Sequence, residues 1–302
     1  MIFVFGGTGF IGKNLVKSLL AKGYGVRVAS RNPDTSFLNT HAPEAEVMTL
    51  EQFMADPDSA LFGVQNVVYA ASTSTPGANL ATPWREARNT VETSMQMMSA
   101  VVHHSDAHLV YLSSGGTVYG ERTDALIRED APLNPISPYG LGKKMTEAAI
   151  DFMVRSQGLR VTVLRPSNPI GRWQMSLSQG VVGALMRAAK QDSLFPMIGD
   201  GEAVRDYFDV RDLVFAIEAT IDHPAKSLGR TWNVGSGKGT SVREMLSLVE
   251  EVSGKTIRTE TLPARSTDVN RVVLDTTAIR TGLNWAPRYE LHQSLSDIWA
   301  VA

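Results

Sequence analysis

Phe3-Val4-Phe5-Gly6-Gly7-Thr8-Gly9-Phe10-Ile11-Gly12 is the stretch that decides the fold. An apolar run from Ile2 breaks into glycines and reopens as a helical pattern through Lys13-Asn14-Leu15-Val16-Lys17-Ser18-Leu19-Leu20, so strand, tight turn and helix are predicted in succession. The glycines satisfy two frames at once, Gly7-x-Gly9-x-x-Gly12 and Gly6-x-x-Gly9-x-x-Gly12. In that setting the first glycines permit a tight turn and close approach of backbone N–H groups to a pyrophosphate. Gly12 lets the helix lie against the strand, and the helix N-terminus faces the phosphate charge. A purely structural βα turn is the bland alternative, and the strand–turn–helix context weighs against it.

Outward from the turn, short apolar runs alternate with helical patterns. Strands are predicted at 2–5, 26–30, 46–49, 66–70, 109–113, 160–164 and 231–234, with helices at 11–21, 89–103 and 139–156. Buried runs alternating with helices define an α/β class with a doubly wound parallel (Rossmann) sheet. Past Pro166 the pattern turns irregular, then settles into helices at 241–253 and around 291–299. The expected division is a dinucleotide-binding domain of 1–166 plus about 204–235, and a smaller α/β substrate lobe of about 167–203 plus 236–302. That lobe would cap the carboxyl edge of the sheet, where ligands of such sheets bind.

A chain of 302 residues with 43% hydrophobic content can bury a large core. Its formal charge of -2 suggests neither nucleic acid nor an anionic membrane as partner. Cysteine is absent, which excludes disulfides, thiolate metal sites and a cysteine nucleophile. The first strand begins at residue 2 and no apolar run reaches membrane length, so no leader, no membrane span and a cytoplasmic location are expected. Helices 89–103 (Met95, Met97, Met98, Val101, Val102) and 139–156 (Met145, Ala148, Ala149, Phe152, Met153) carry broad apolar faces. Those faces suit ordinary core, or a homodimer contact.

The second constellation is Tyr139-Gly140-Leu141-Gly142-Lys143. Ser137 and Pro138 read as N-cap and first helical residue, which puts Tyr139 and Lys143 at i and i+4 on one face. An ammonium beside a phenol favours phenolate, so a lowered tyrosine pKa and an acid/base role near neutral pH are expected. A Ser/Gly-rich strand end, Tyr111-Leu112-Ser113-Ser114-Gly115-Gly116-Thr117-Val118-Tyr119-Gly120, precedes the pair.

With these motifs in place, the chain resembles the extended short-chain dehydrogenase/reductases, and within them the nucleotide-sugar epimerase/dehydratase family typified by UDP-galactose 4-epimerase. The resemblance covers nearly the whole chain and includes Leu164-Arg165-Pro166-Ser167-Asn168-Pro169-Ile170-Gly171, Gly199-Asp200-Gly201, Arg205-Asp206-Tyr207, Trp232-Asn233-Val234-Gly235 and Arg265-x-x-Asp268. It implies an NAD(P) site formed by Gly6, Gly7, Thr8, Gly9, Phe10, Ile11 and Gly12, with Ser30, Arg31, Ala70, Ala71, Ser72, Pro166, Tyr139 and Lys143. It also implies a substrate site of Thr117, Asn168, Arg205, Arg265 and Asp268, the arginines clamping a diphosphate with paired, charge-assisted bonds. Each arginine also has a plain alternative as a surface ion pair. No metal is implied.

One departure stands out. The family's sugar-binding Ser or Thr, four residues before the tyrosine of Val-Tyr-Gly, is Gly115 here. Its hydroxyl must come from Ser114, or from Thr117 if the chain stays extended, and the residues leave both open. A second departure lies at the end of the second strand. Ser30 and Arg31 stand where an NAD enzyme carries an acid for the ribose, and a guanidinium there favours the 2′-phosphate of NADP.

The reading is an NAD(P)-dependent nucleotide-sugar epimerase working through a transient keto sugar, with Tyr139, Lys143 and Ser114 catalytic. An NADPH-dependent reductase of a keto sugar or other carbonyl shares every motif, and a non-catalytic dinucleotide sensor is disfavoured by the Tyr/Lys pair. A 4,6-dehydratase would need an Asp-Glu pair where Gly116-Thr117 stands. His103, His104 and His108 straddle a helix end and a strand and are expected to lack an acidic partner, so capping or solvated roles are expected rather than zinc. Trp173 is a candidate edge of the sugar site.

Overall fold

The computed structural model describes residues 1–72, 74, 81–174, 180–264 and 269–301. Its centre is a seven-stranded sheet built from β1 (Ile2–Phe5), β2 (Val26–Ser30), β3 (Glu46–Thr49), β4 (Asn66–Tyr69), β5 (His108–Leu112), β6 (Val161–Pro166) and β7 (Thr231–Val234). The order is β7-β6-β5-β4-β1-β2-β3, with every neighbouring pair parallel. Ile2 pairs with Val26 on one side and Asn66 on the other. The chain therefore winds outward from β1 through β2 to β3, then returns to β1's other edge as β4. Between the carboxyl ends of β1 and β4 this reversal opens the crevice where such sheets bind ligands.

Alternation along β1 shows why the strand is apolar throughout. Ile2 and Val4 join one hydrophobic core, Phe3 and Phe5 the other, and all four are buried. On the first face lie α1 (Phe10–Ala21), which buries Leu15, Val16 and Leu19, and further along the chain Val210–Asp222. α2 (Thr35–His41) follows β2. The second face is covered by α3 (Thr93–His104) and α4 (Pro138–Gln157). α4 starts on Pro138 with the Ser137 hydroxyl accepting from Gly140 N (3.1 Å), and stops at left-handed Gly158 (φ 72°).

After Pro166 the chain is more regular than its composition suggested. α5 (Val181–Gln191), α6 (Val210–Asp222), α7 (Val242–Ser253) and α8 (Leu291–Val301) are interleaved with short strands. The first two were not among the helices expected from the sequence. A third hydrophobic core, with Leu185, Met186, Phe195, Met245 and Leu295, gathers α5, α7 and α8 away from the sheet. The helix expected to start at 89 begins earlier, from Trp84, through a π-helical turn at Ala87–Glu92. No helix among the described residues is long and apolar enough to cross a membrane.

Candidate active site

The glycine turn is shaped by close packing. Gly6 has φ 77°, and a Cβ there would stand 2.7 Å from Ala71 Cα. A Cβ on Gly12 would meet the Gly6 carbonyl oxygen at 2.1 Å, so α1 can lie on the turn only because residue 12 has no side chain. Gly9 N donates to Gly6 O (2.9 Å) and Gly9 caps α1 without a side-chain bond. Phe10 and Ile11 open the helix. Ala70, Ala71 and Ser72 follow β4 directly opposite, tied by Ala70 N to Phe5 O (3.0 Å). A glycine cradle at a helix N-terminus, facing the strand-end crevice, fits a dinucleotide pyrophosphate.

At the end of β2, buried Ser30 accepts from the Thr8 hydroxyl (3.0 Å). Arg31 is exposed and rims a cavity of about 250 Å³ shared with Leu50, Tyr69, Ala71, Ser72 and Asn89. The nearest carboxylate along this loop, Asp34, is already held by Lys13 (2.5 Å) and by Phe37 N (3.0 Å).

Tyr139 and Lys143 sit on α4 against the ends of β4 and β5. The Lys143 ammonium donates to Leu112 O (2.8 Å) and lies 5.8 Å from the Tyr139 ring centroid and 5.1 Å from that of Tyr111. Ser114 and Ser72 lie beside the Tyr139 phenol and both favour its ionised form. The strand does not stay extended beyond Ser114, because Gly115–Val118 turns into a short helix. That turn corrects the extended-chain premise for Thr117. Ser114 meets the phenol, while Thr117 donates to the Ser114 hydroxyl (2.9 Å). Gly115 is explained by packing, since a Cβ there would stand 2.6 Å from Leu274 Cδ1 and 2.7 Å from Arg165 O.

The expected lowering of the Tyr139 pKa is not found. Burial pushes the phenol up to about 12, against the downward pull of Ser114 and Ser72, and the nearby Glu86 carboxylate adds to the rise. Burial also brings Lys143 down to about 8, opposed by Glu147 and Glu86. Spacing alone placed the ammonium but said nothing of how far burial opposes the charge.

Asn168 lies beside the same site, its amide about van der Waals distance (3.5 Å) from a Cβ on Gly116, and its N–H groups donate to Asp206 O. Arg205, next in chain, is half-buried and donates to Val204 O (2.8 Å). Pro166 closes β6 and is buried. Arg265 and Asp268 lie outside the described residues. Trp173, the candidate edge of the sugar site, packs against the first hydrophobic core. Its ring packs on Phe37 (5.2 Å) and His41 (5.4 Å) beside α1. The histidines also differ from expectation in one respect, since His104 meets an acid, Asp58 (2.6 Å), brought from 46 residues away. His108 is buried against Thr162, and burial lowers it to about 4. Among the described residues no group of three metal-binding side chains forms. Sequence reading missed Glu86, which is buried against α4.

A dinucleotide-type turn at the switch point of a parallel sheet, with a Tyr-x-x-x-Lys pair beside it, defines a short-chain dehydrogenase/reductase architecture. The NAD dependent epimerase/dehydratase family matches residues 2–235, and the chain is an enzyme of that family. UDP-arabinose 4-epimerase 1 of Arabidopsis thaliana is 28% identical over 338 residues, which cover 99% of this chain and 78% of the plant protein. The crystal structure of a UDP-glucose 4-epimerase of Thermotoga maritima with UDP-glucose is 29% identical, with a TM-score of 0.90 over 99% of this chain and 97% of the other. A Thermus thermophilus UDP-glucose 4-epimerase in complex with NAD is 25% identical, with a TM-score of 0.87 over 98% and 96%.

Proposed function

We propose that this enzyme epimerises a nucleoside-diphosphate sugar at C4, with NAD(P) held by the glycine turn and the cleft beside Arg31. The observation that carries the proposal is the Lys143 ammonium 5.8 Å from the Tyr139 ring centroid, one helical turn on and anchored to Leu112 O, at the mouth of the crevice. A nicotinamide bound there supplies a hydride acceptor that also returns the hydride. Tyr139 takes the proton of the sugar C4 hydroxyl and gives it back to the keto oxygen, while the hydride would return to the opposite face of C4. Ser114, supported by Thr117, hydrogen-bonds the reacting oxygen in place of the residue missing at Gly115. Lys143 keeps a positive charge beside the phenol and favours phenolate. The third core, with Asn168 and Arg205 at its edge, forms a substrate lobe, and Arg205 with Arg265 and Asp268 holds the diphosphate. The 4-epimerase relatives support C4 as the reacting carbon.

Arg31 favours a second reading, in which NADPH reduces a keto sugar or other carbonyl. Incubation with UDP-, GDP- and dTDP-sugars separates the two. The epimerase reading expects interconversion of C4 epimers without net cofactor turnover, and binding of the free nucleoside diphosphate that weakens in Arg205→Ala and Arg265→Ala. Stoichiometric NADPH oxidation without epimer formation, or no nucleoside diphosphate binding at millimolar concentration, would establish the reductase instead. We further propose that the exposed apolar faces of α3 and α4 join two copies, since Met95, Met145 and Phe152 remain 37%, 39% and 53% exposed.

A further inference from the structure

Glu86 is 1% exposed, and the chemistry proposed above does not use it. A buried carboxylate is costly unless it is well partnered. Its Oε1 accepts from the Ser74 hydroxyl (2.6 Å) and the Thr90 hydroxyl (2.5 Å). The π-helical turn Ala87–Glu92 opens directly after it and contains Thr90, and π turns of this kind recur at functional sites. Across from it stands α4. A Cβ on Gly142 would lie 2.6 Å from Glu86 Cγ and 3.1 Å from its Oε1. Gly142 is three residues after Tyr139 and one before Lys143, so the missing side chain admits the carboxylate to the turn that carries both. The segment after β4 closes the arrangement. Ser72, beside the Tyr139 phenol, donates to Ser74 O (2.8 Å), while the Ser74 hydroxyl donates to Glu86.

We infer that Glu86 is a positioning residue for Tyr139 and Lys143, its carboxylate keeping the lysine cationic and holding Ser74, and through it Ser72, beside the phenol. The inference rests on the acid/base reading of that pair. A negative charge at this point favours the protonated form of both groups, adding to the rise of Tyr139 and opposing the fall of Lys143. Among the described residues, Tyr111 of β5 and Glu147 of α4 also face the pair, the latter engaged by Arg165 of β6 (2.6 Å). With burial already drawing Lys143 down to about 8, loss of the Glu86 charge draws it lower still.

The test compares Glu86→Gln and Glu86→Asp with wild type by two measurements on the cofactor-loaded enzyme. The first is kcat and KM against pH with a converted nucleotide sugar. The second is tyrosinate absorbance against pH, with Tyr139→Phe subtracted to isolate residue 139. For the glutamine variant both limbs of the kcat profile move to lower pH by about half a unit to one unit, and the tyrosinate titration moves the same way. KM changes less than about twofold. The aspartate variant keeps the charge, so its profile stays near wild type with reduced amplitude. If the glutamine variant does not fold, Gly142→Ala displaces the carboxylate from α4 and carries the same expected shift. Curves that superimpose on wild type in an active epimerase overturn the role of Glu86 alone. A shifted tyrosinate titration without turnover of any nucleotide sugar sustains that role and defeats the epimerase reading.

Discussion

At Tyr139 two effects oppose each other, and burial wins over the neighbouring hydroxyls in setting the pKa at about 12. A phenol this reluctant to ionise needs the Lys143 charge, and the positive ring of an oxidised nicotinamide would act in the same direction. Replacing Tyr139 with Phe should lower kcat by about 10²–10⁴-fold while the cofactor dissociation constant stays within a few-fold of wild type. A variant that keeps half the activity would remove Tyr139 from the mechanism. Lys143, drawn down to about 8, is charged below that pH and neutral above it. Turnover should therefore decline as pH rises through about 8, and a flat kcat to pH 10 would show that its charge is not used.

The elements closest to the glycine turn were legible because their signals are local. Period, glycine spacing and apolar runs marked β1 and α1, and the Ser137-Pro138 start gave α4 its phase. Whether Ser114 or Thr117 faces the phenol was not legible, since it hangs on Gly115 leaving the strand, and packing against Leu274 and Arg165 decides that. The end of β2 lies between these cases. Ser30 and Arg31 were readable by position, but only the structure shows Ser30 taken up by Thr8 and Asp34 taken up by Lys13, leaving Arg31 on the cavity rim. If Arg31 grips a 2′-phosphate, Arg31→Ala weakens NADP by about tenfold or more and NAD hardly at all, because a charge-assisted bond contributes about 1.5–3 kcal/mol. Equal losses in titrations of both cofactors would mean that Arg31 only packs on the adenosine.

At the scale of the molecule the illegible contacts are those joining distant segments. Glu86 against α4, Trp173 on Phe37 and Asp58 on His104 all require the finished fold. Asp206 is the strongest case. It is fully buried, and its carboxylate accepts from Ser236 N (2.8 Å), Gly237 N (3.2 Å) and Leu274 N (3.2 Å), tying the site-bearing strands to the chain after β7. Asp206→Ala strands three N–H groups and should cost about 3 kcal/mol or more in urea unfolding, where a loss under about 1 kcal/mol would contradict the role given to it. If α3 and α4 join two copies, Phe152→Glu should convert a dimer to a monomer in sedimentation. A wild type that is monomeric at all concentrations would contradict that surface. The most direct test of the central claim is to follow, by NMR, UDP-sugars carrying deuterium at C4 with enzyme and a trace of NAD(P). The account predicts C4 epimers that retain the deuterium, with no conversion by Tyr139→Phe, whereas loss of the label to solvent, or epimers formed equally well without Tyr139, would contradict it.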